Sequence, residues 1–389
     1  MISTLLSFSS ILKYTGYILI AILVLLFMVL IHELGHYIAG KILKFKINEF
    51  SVGFGPKILQ KKRKNGEVIS LRAFPLGGYC AFEGETEENK ENPQAFSNQK
   101  PWKRLIVLFS GAFFNFLSGI IFSFILLIAN GYDLVQVKAI EQTSINYNYL
   151  QKGDVIYGIE NKKIDFVDDE YFATLVSNHL QVNYDDYQGE DITLEINKFT
   201  EEGKNYYLVK TPIIFNVERA GEKVTVDGFV NTIYDENGEY KGWTLLATND
   251  ENSAEFGLTT YKYSFFEALG EAIPFTCKWA WKVLVVFGQL ITGQLSITSL
   301  GGPVTTVKMI ANFTEQSMLL LLLPLIAVNL AVFNLLPIPA LDGFQMIFVA
   351  IEWIRKKPVK QEIINIINNV GLIVLFGFVI VVDILQFVL

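Results

Sequence analysis

Histidine is nearly missing from this chain, with three in 389 residues against 31 phenylalanines, and two of the three stand four apart at His32 and His36. Cysteine is scarcer still. Only Cys80 and Cys277 occur, and the topology below puts them on opposite sides of a membrane, which excludes a disulfide framework. Charge is thin at 18% of residues, while 51% are apolar; one soluble domain does not carry that balance. Tyr17–Ile31, Leu105–Ala129 and Met318–Ala340 hold no charge, and Ile363–Leu389 holds only Asp383. Each approaches or exceeds the roughly 20 residues that cross hydrocarbon as a helix. The fold class expected is therefore a multi-pass α-helical membrane protein with four transmembrane helices.

Charge placement orients those spans. Lys41–Arg104 has 13 Lys/Arg against 7 Asp/Glu, and Arg355, Lys356, Lys357 and Lys360 crowd the link before the last span. Residues 131–316 have 14 basic against 27 acidic, a net of −13. Positive loops stay in the cytoplasm, so the acidic segment and both termini are expected outside. The overall charge of −7 belongs to that outer part and gives no sign of nucleic-acid binding.

Seven regions follow: 1–40 as the first transmembrane helix, 41–104 as a cytoplasmic-side β-hairpin and loop region, and 105–130 as the second helix. Then come 131–260 as a separate outer α/β domain, 261–316 as an amphipathic region on the membrane surface, 317–345 as the third helix, and 346–389 as a basic link with the fourth. Phe45–Gly55 and Val68–Phe74 have the β-branched and aromatic content of short strands, with Asn65-Gly66 as a turn between Val68–Phe74 and Ile58–Gln60. Pro75-Leu76-Gly77-Gly78 breaks regular structure, and polar Glu83–Gln99 is expected to be exposed. In the outer domain Asp191–Ile196 and Tyr206–Phe215 read as strands and Tyr171–Leu180 as a helix. His179 there reads as an ordinary surface or packing histidine.

The chemistry sits in His32-Glu33-Leu34-Gly35-His36. Residues four apart share a helix face, so both imidazoles can grip one metal ion. Glu33 stands beside them as the catalytic base, able to take a proton from metal-bound water. Zinc (Zn2+) suits such a site, since it lowers bound water's pKa to roughly 7. Three ionisable groups at the end of a hydrophobic span are costly and mark function. The best third ligand is Asp342, near the inner end of its span as the histidines are near theirs. Asp383, near the outer end of the last span, is at the wrong depth. Pro337 and Pro339 remove two backbone donors and break the helix before Asp342. Broken backbone at that depth is tolerated beside a wet cavity, where it can hydrogen-bond an unwound peptide. A non-catalytic scaffold would not need Glu33, and neither would a metal transporter using the same three ligands.

HELGH on the first span with NLLPIPALDG on the third resembles the site-2 protease family of intramembrane zinc metalloproteases, and within it the bacterial RseP-like branch. Gly53-Phe54-Gly55-Pro56, Phe74-Pro75-Leu76-Gly77-Gly78-Tyr79, Phe109–Phe116 and Gly301-Gly302-Pro303 extend the resemblance over nearly the whole chain. It implies that His32, His36 and Asp342 bind zinc, that Glu33 is the base, and that Asn334, Pro337 and Pro339 hold an extended substrate. It also implies that the Gly53–Tyr79 region, Gly77 and Gly78 included, is a membrane-associated β element presenting a strand edge to substrate. Phe344-Gln345 departs from the family pattern after Asp342-Gly343. The stretch Leu150–Ile164 resembles a PDZ module, acting in the family as a size filter. The implied location is the bacterial cytoplasmic membrane, surrounded by lipid. The implied partners are single-span membrane proteins, such as anti-sigma factors or remnant signal peptides, already trimmed by an upstream site-1-type protease.

Overall fold

The computed structural model describes residues 8–85, 92–160, 162–163, 196–201, 204–235, 240–244, 254–295, 301–315 and 318–388. The chain forms two compact units: Met1–Leu126 with Phe265–Leu389, and Leu127–Ser264.

In the first unit, α1 (Phe8–Ile42) is an apolar helix without proline. It stops where Lys44 takes a left-handed φ of 64° and Phe45 N donates back to Gly40 O at 2.8 Å. The strands β1 (Ile47–Lys62) and β2 (Val68–Phe82) follow, and Gly66, at φ 89°, makes the turn expected at Asn65-Gly66. Residues 49–52 of β1 pair twice, with 68–71 on one side and 78–81 on the other, while 57–62 pairs with 68–72. The hairpin is thus a four-segment sheet in the order 57–62, 68–72, 47–52, 78–82. Its corners are the two glycine motifs of the sequence. Gly53 and Gly55 both sit at φ 84° and Gly77 at φ 143°, angles that side-chain-bearing residues avoid. A Cβ on Gly55 would overlap the Phe74 ring, and one on Gly77 the Phe54 ring, so the corners interlock. The break expected at Pro75–Gly78 is a reversal of the chain, although strand geometry continues through it to Phe82.

The helix α2 (Pro101–Ala129) crosses α1 closely where Gly35 meets Ser110 and Gly111. Phe96, within the stretch expected to be exposed, is instead buried against Phe45 and Phe82. Its ring is worth roughly 1.5–3 kcal/mol of burial, which outweighs its polar neighbourhood. The remaining helices are α3 (Phe265–Ile291), α4 (Pro303–Glu315), α5 (Leu319–Leu335), α6 (Asp342–Arg355) and α7 (Gln361–Val388). The stretch read as lying on the membrane surface is in part this continuous α3, which buries Ala268, Ala272, Phe275 and Thr276. Thr276 Oγ1 meets Ser123 Oγ of α2 at 2.9 Å. α1, α2 and α7 contain segments long and apolar enough to cross a membrane: Leu12–Ile42, Pro101–Ala129 and Glu362–Leu385. α5 is apolar but has 17 residues. The sequence reading carries a third helix on to 345; the chain instead leaves α5 at Leu335 and opens a new helix at Asp342, because Pro337 and Pro339 cannot donate.

Among the described residues of the second unit, eight strands form one antiparallel sheet: β3 (Tyr132–Ile140), β4 (Val155–Ile159), β5 (Lys162–Lys163), β6 (Ile196–Glu201), β7 (Lys204–Arg219), β8 (Glu222–Asp235), β9 (Tyr240–Thr244) and β10 (Ala254–Tyr261). The order is β10-β3-β4-β7-β8-β9, with β5 on β4 and β6 on β7. The strand read at Tyr206–Phe215 lies inside β7. Residues 191–195, the helix read at Tyr171–Leu180 and His179 lie outside the described residues. Ala220 and Gly221, at φ 54° and 85°, give the β7–β8 hairpin the left-handed pair that strand twist requires. Leu134, Val137, Ile156, Phe215 and Val217 are its core. Buried Asp154 accepts from Arg219 Nε at 2.8 Å and Nη2 at 2.7 Å.

Candidate metal centre

Helical spacing puts His32 and His36 one turn apart on α1, both buried. Their Nε2 atoms lie 3.0 Å apart. Asp342 brings Oδ2 to within 2.9 Å of His32 Nε2 and 3.1 Å of His36 Nε2. Three donors so close, from elements some 300 residues apart in sequence, form a triangle with sides near 3 Å. Ligands held about 2.0–2.1 Å from one tetrahedral ion stand roughly 3.3 Å apart, so a small contraction separates this triangle from that of a bound cation. Asp342 Oδ2 is buried and makes no hydrogen bond of normal geometry. A buried carboxylate oxygen without a proton donor is costly, and a cation would satisfy it. The donor set fits a divalent metal.

Neighbours aim each ring. His36 Nδ1 donates to Val107 O of α2 at 2.7 Å, which leaves its Nε2 free for a ligand role. His32 Nδ1 lies 3.4 Å from the side-chain amides of both Asn115 and Asn334. Asn334 Nδ2 donates to Leu330 O at 2.9 Å, so its orientation is set. Asn115 is wholly buried, its Oδ1 has no partner among the described residues, and a half-turn of its amide would offer that oxygen to His32 Nδ1–H. The packing that permits all this is glycine on glycine. A Cβ at Gly35 of α1 would run into the Ser110 backbone, and one at Gly111 of α2 would run into both imidazoles.

Glu33 lines the same cavity of about 480 Å³. Its Oε2 accepts from Cys80 N of β2 at 2.9 Å. Two residues on, Phe82 N donates to Glu85 Oε2 at 3.2 Å. Both amides lie on the edge of the segment 78–82 that points away from the rest of the sheet, and Tyr79–Phe82 walls the cavity. Burial holds the Glu85 carboxyl up at about 7 and pushes the Cys80 thiol well above its ordinary range.

The family model for peptidase family M50 matches residues 20–378. The chain belongs to peptidase family M50. This M50 chain is 31% identical over 362 residues to a Helicobacter pylori protein, covering 91% of the chain and 94% of its relative. It is 28% identical over 372 residues to one from Clostridium perfringens, covering 95% and 97%. It is 27% identical over 396 residues to one from Agrobacterium fabrum, covering 94% of each. All three relatives carry zinc metalloprotease as a provisional name. Family membership and three long apolar helices make this M50 chain an integral membrane protein.

Of the residues singled out from the M50 sequence, His32, Glu33, His36, Asn334 and Asp342 converge on one cavity. Pro337 and Pro339 are not among its walls. Pro339 packs on Gly371 of α7, where a Cβ would collide with it, and the intervening Ala340 takes φ 74°. Gly77 and Gly78 also stand back from the cavity. Gly78 is buried with no room for a Cβ beneath Ser51 O, and the pair positions Tyr79–Phe82 instead of meeting the site. Asp383 instead accepts from Val304 N at 3.3 Å, over Gly302 at the start of α4. Val107, Gly111, Asn115 and Glu85 received no role from sequence. The Phe109–Phe116 match was the one signal that could have found two of them.

Proposed function

We propose that this chain is a zinc metalloprotease of the site-2 protease type, hydrolysing peptide bonds within transmembrane segments of membrane proteins already trimmed on their outer side. The observation that carries the reading is the convergence of His32 Nε2, His36 Nε2 and Asp342 Oδ2 in a cavity that Glu33 also lines. His32, His36 and Asp342 would hold the ion. Zinc bound there would supply a Lewis acid for the scissile carbonyl and a means of acidifying water at neutral pH. Glu33, steadied by Cys80 N, takes the proton from the attacking water and returns it to the leaving amine. Asn334, with its amide at the cavity wall, is placed to hydrogen-bond the substrate main chain. The outward edge at Tyr79–Phe82, where Glu85 holds the Phe82 amide and Glu33 the Cys80 amide, would take an unwound segment as a strand partner through its carbonyls and by displacing Glu85.

In this reading α5 is the third of four spans, and both termini and the sheet domain face away from the cytoplasm of a bacterial inner membrane, as the charge asymmetry supports. The domain acts as a PDZ-like size filter. Substrates are single-span proteins such as anti-sigma factors, or remnant signal peptides, after a first cut by a site-1-type protease. The test is a reconstituted assay with a model single-span substrate. Wild-type chain with bound zinc should cut it, chelation should stop it, and Glu33→Gln should keep its zinc while losing cleavage. Cutting that survives chelation, or a Glu33→Gln variant as active as wild type, would overturn the proposal.

A further inference from the structure

A second cavity, of about 1220 Å³, lies between α3, α5 and α7. On α7 it is lined from Ile366 to Val382. Sixteen helical steps at 1.5 Å make it roughly 24 Å long, close to the ~30 Å of a bilayer's hydrocarbon. Averaged over that length its cross-section is roughly 50 Å², about half that of an α-helix 10–12 Å across. The space is therefore a groove that seats one side of a single helix, not a chamber for a compact small molecule. Its walls are almost all carbon, with Asn329 and Lys282 the polar exceptions, so its occupant is apolar along its length.

The groove and the metal cavity share a wall. Leu341 lines both. Ile338 and Pro339 face the groove, while Ala340 and Asp342 face the metal cavity. The non-helical stretch between α5 and α6 therefore separates the two together with α5 itself, which gives Leu330 and Asn334 to the metal cavity and Leu325, Asn329 and Phe333 to the groove. The outer wall, α7, is lightly held. Its most apolar 18-residue window has no buried residue, and its polar contacts lie toward the two ends, from Ala340 N to Asn368 Oδ1 at 3.4 Å and from Val304 N to Asp383 Oδ2 at 3.3 Å.

We propose that the groove between α3, α5 and α7 is the docking site for one apolar transmembrane helix of the substrate, which meets the metal cavity by passing over the 336–341 partition. The wall shared with the metal cavity at Leu341 and the near-span length favour a helix here over the acyl chains of surrounding lipid. The inference rests on the protease reading given above, and its test separates the two. Full-length Glu33→Gln chain, with a photo-crosslinking residue at Val286 or Val374, which line the groove, or at Ile373, which does not, is reconstituted in phosphatidylethanolamine–phosphatidylglycerol vesicles with a tagged single-span substrate. Adducts to the substrate from Val286 and Val374, and at least tenfold fewer from Ile373, are expected. Because the chain is inactive, this readout stands whatever the wild type does. In parallel, Val374→Trp, which fills the groove, should slow cleavage of the membrane substrate at least tenfold. It should leave zinc content and cleavage of a short extended peptide in detergent unchanged. Lipid adducts alone from the groove positions, equal substrate adducts from Ile373, or wild-type cleavage of the membrane substrate by Val374→Trp would each overturn the proposal. Should Val374→Trp fail to fold, the adduct pattern alone decides.

Discussion

Adding one methyl group at Gly111 tests how the two imidazoles are held. Alanine at this mid-helix position gains about 1 kcal/mol of helix propensity over glycine, so α2 itself should be no less stable. The new Cβ, however, would fall well inside contact distance of His36 Nε2 and of His32 Cε1. His36 cannot swing away freely, because its Nδ1 bond to Val107 O at 2.7 Å would lengthen or break, at a cost of about 1 kcal/mol or more for a buried bond. Displacing two of three ligand atoms should weaken zinc binding more than the 10–100-fold typical of a lost outer partner; at least 100-fold is expected. The assay is chelator competition on purified full-length Gly111→Ala, with helix content followed by circular dichroism. Gly119→Ala is the control. Its Cβ would touch Val328 Cγ2 at 3.0 Å and Thr276 Cγ2 at 3.4 Å, far from the ligands, so it should perturb packing and spare zinc affinity. Wild-type affinity in a folded Gly111→Ala variant would refute this account of the site.

Further outcomes are expected elsewhere. Asn115→Leu should lower zinc affinity about 10–100-fold by removing the acceptor for His32 Nδ1–H, and Asn115→Asp should recover most of it; equal affinities would deny Asn115 that part. Glu85 titrates at about 7 in the fold, above its unfolded value. Its neutral form is therefore favoured, and stability is lost as pH rises from about 4.5 and levels off above 7, by up to about 3 kcal/mol. Glu85→Gln should thus melt with wild type at pH 4 and above it at pH 8, and a gap that does not grow with pH would count against this. Arg219→Ala leaves buried Asp154 uncompensated and should destabilise the sheet domain by about 3 kcal/mol without changing zinc content; limited proteolysis of that domain together with metal analysis checks both.

What could be read from sequence followed the range of the interactions. The His32–His36 pair is local, set by helical pitch, and so was visible at once. Asp342 was reachable only because span direction and depth follow from charge asymmetry. That Asp342 begins a helix could not be read from span lengths, which merge α5 and α6. Gly111 and Asn115 act through the crossing of two helices, and nothing in a linear pattern distinguishes a glycine facing a ligand from one facing lipid. The sheet was misjudged for a related reason. The pairing of Ile58–Gln60 with Val68–Phe74 across Asn65-Gly66 was legible, but 49–52 pairs on both sides, a non-local choice made by interlocking corners. Half-buried Glu85 and buried Phe96 sat in a polar stretch, and their enclosure is a property of what folds over them.

Because Asp342 opens α6, its carboxylate stands at the positive pole of a helix macrodipole, equivalent to about half an elementary charge. The backbone of α6 therefore projects a fixed field into the cavity before any cation is present. Any anionic oxygen that forms there during peptide hydrolysis is met by that field as well as by side chains. Point substitutions can remove Asp342 or Asn334, but only unwinding the first turn of α6 would remove this contribution.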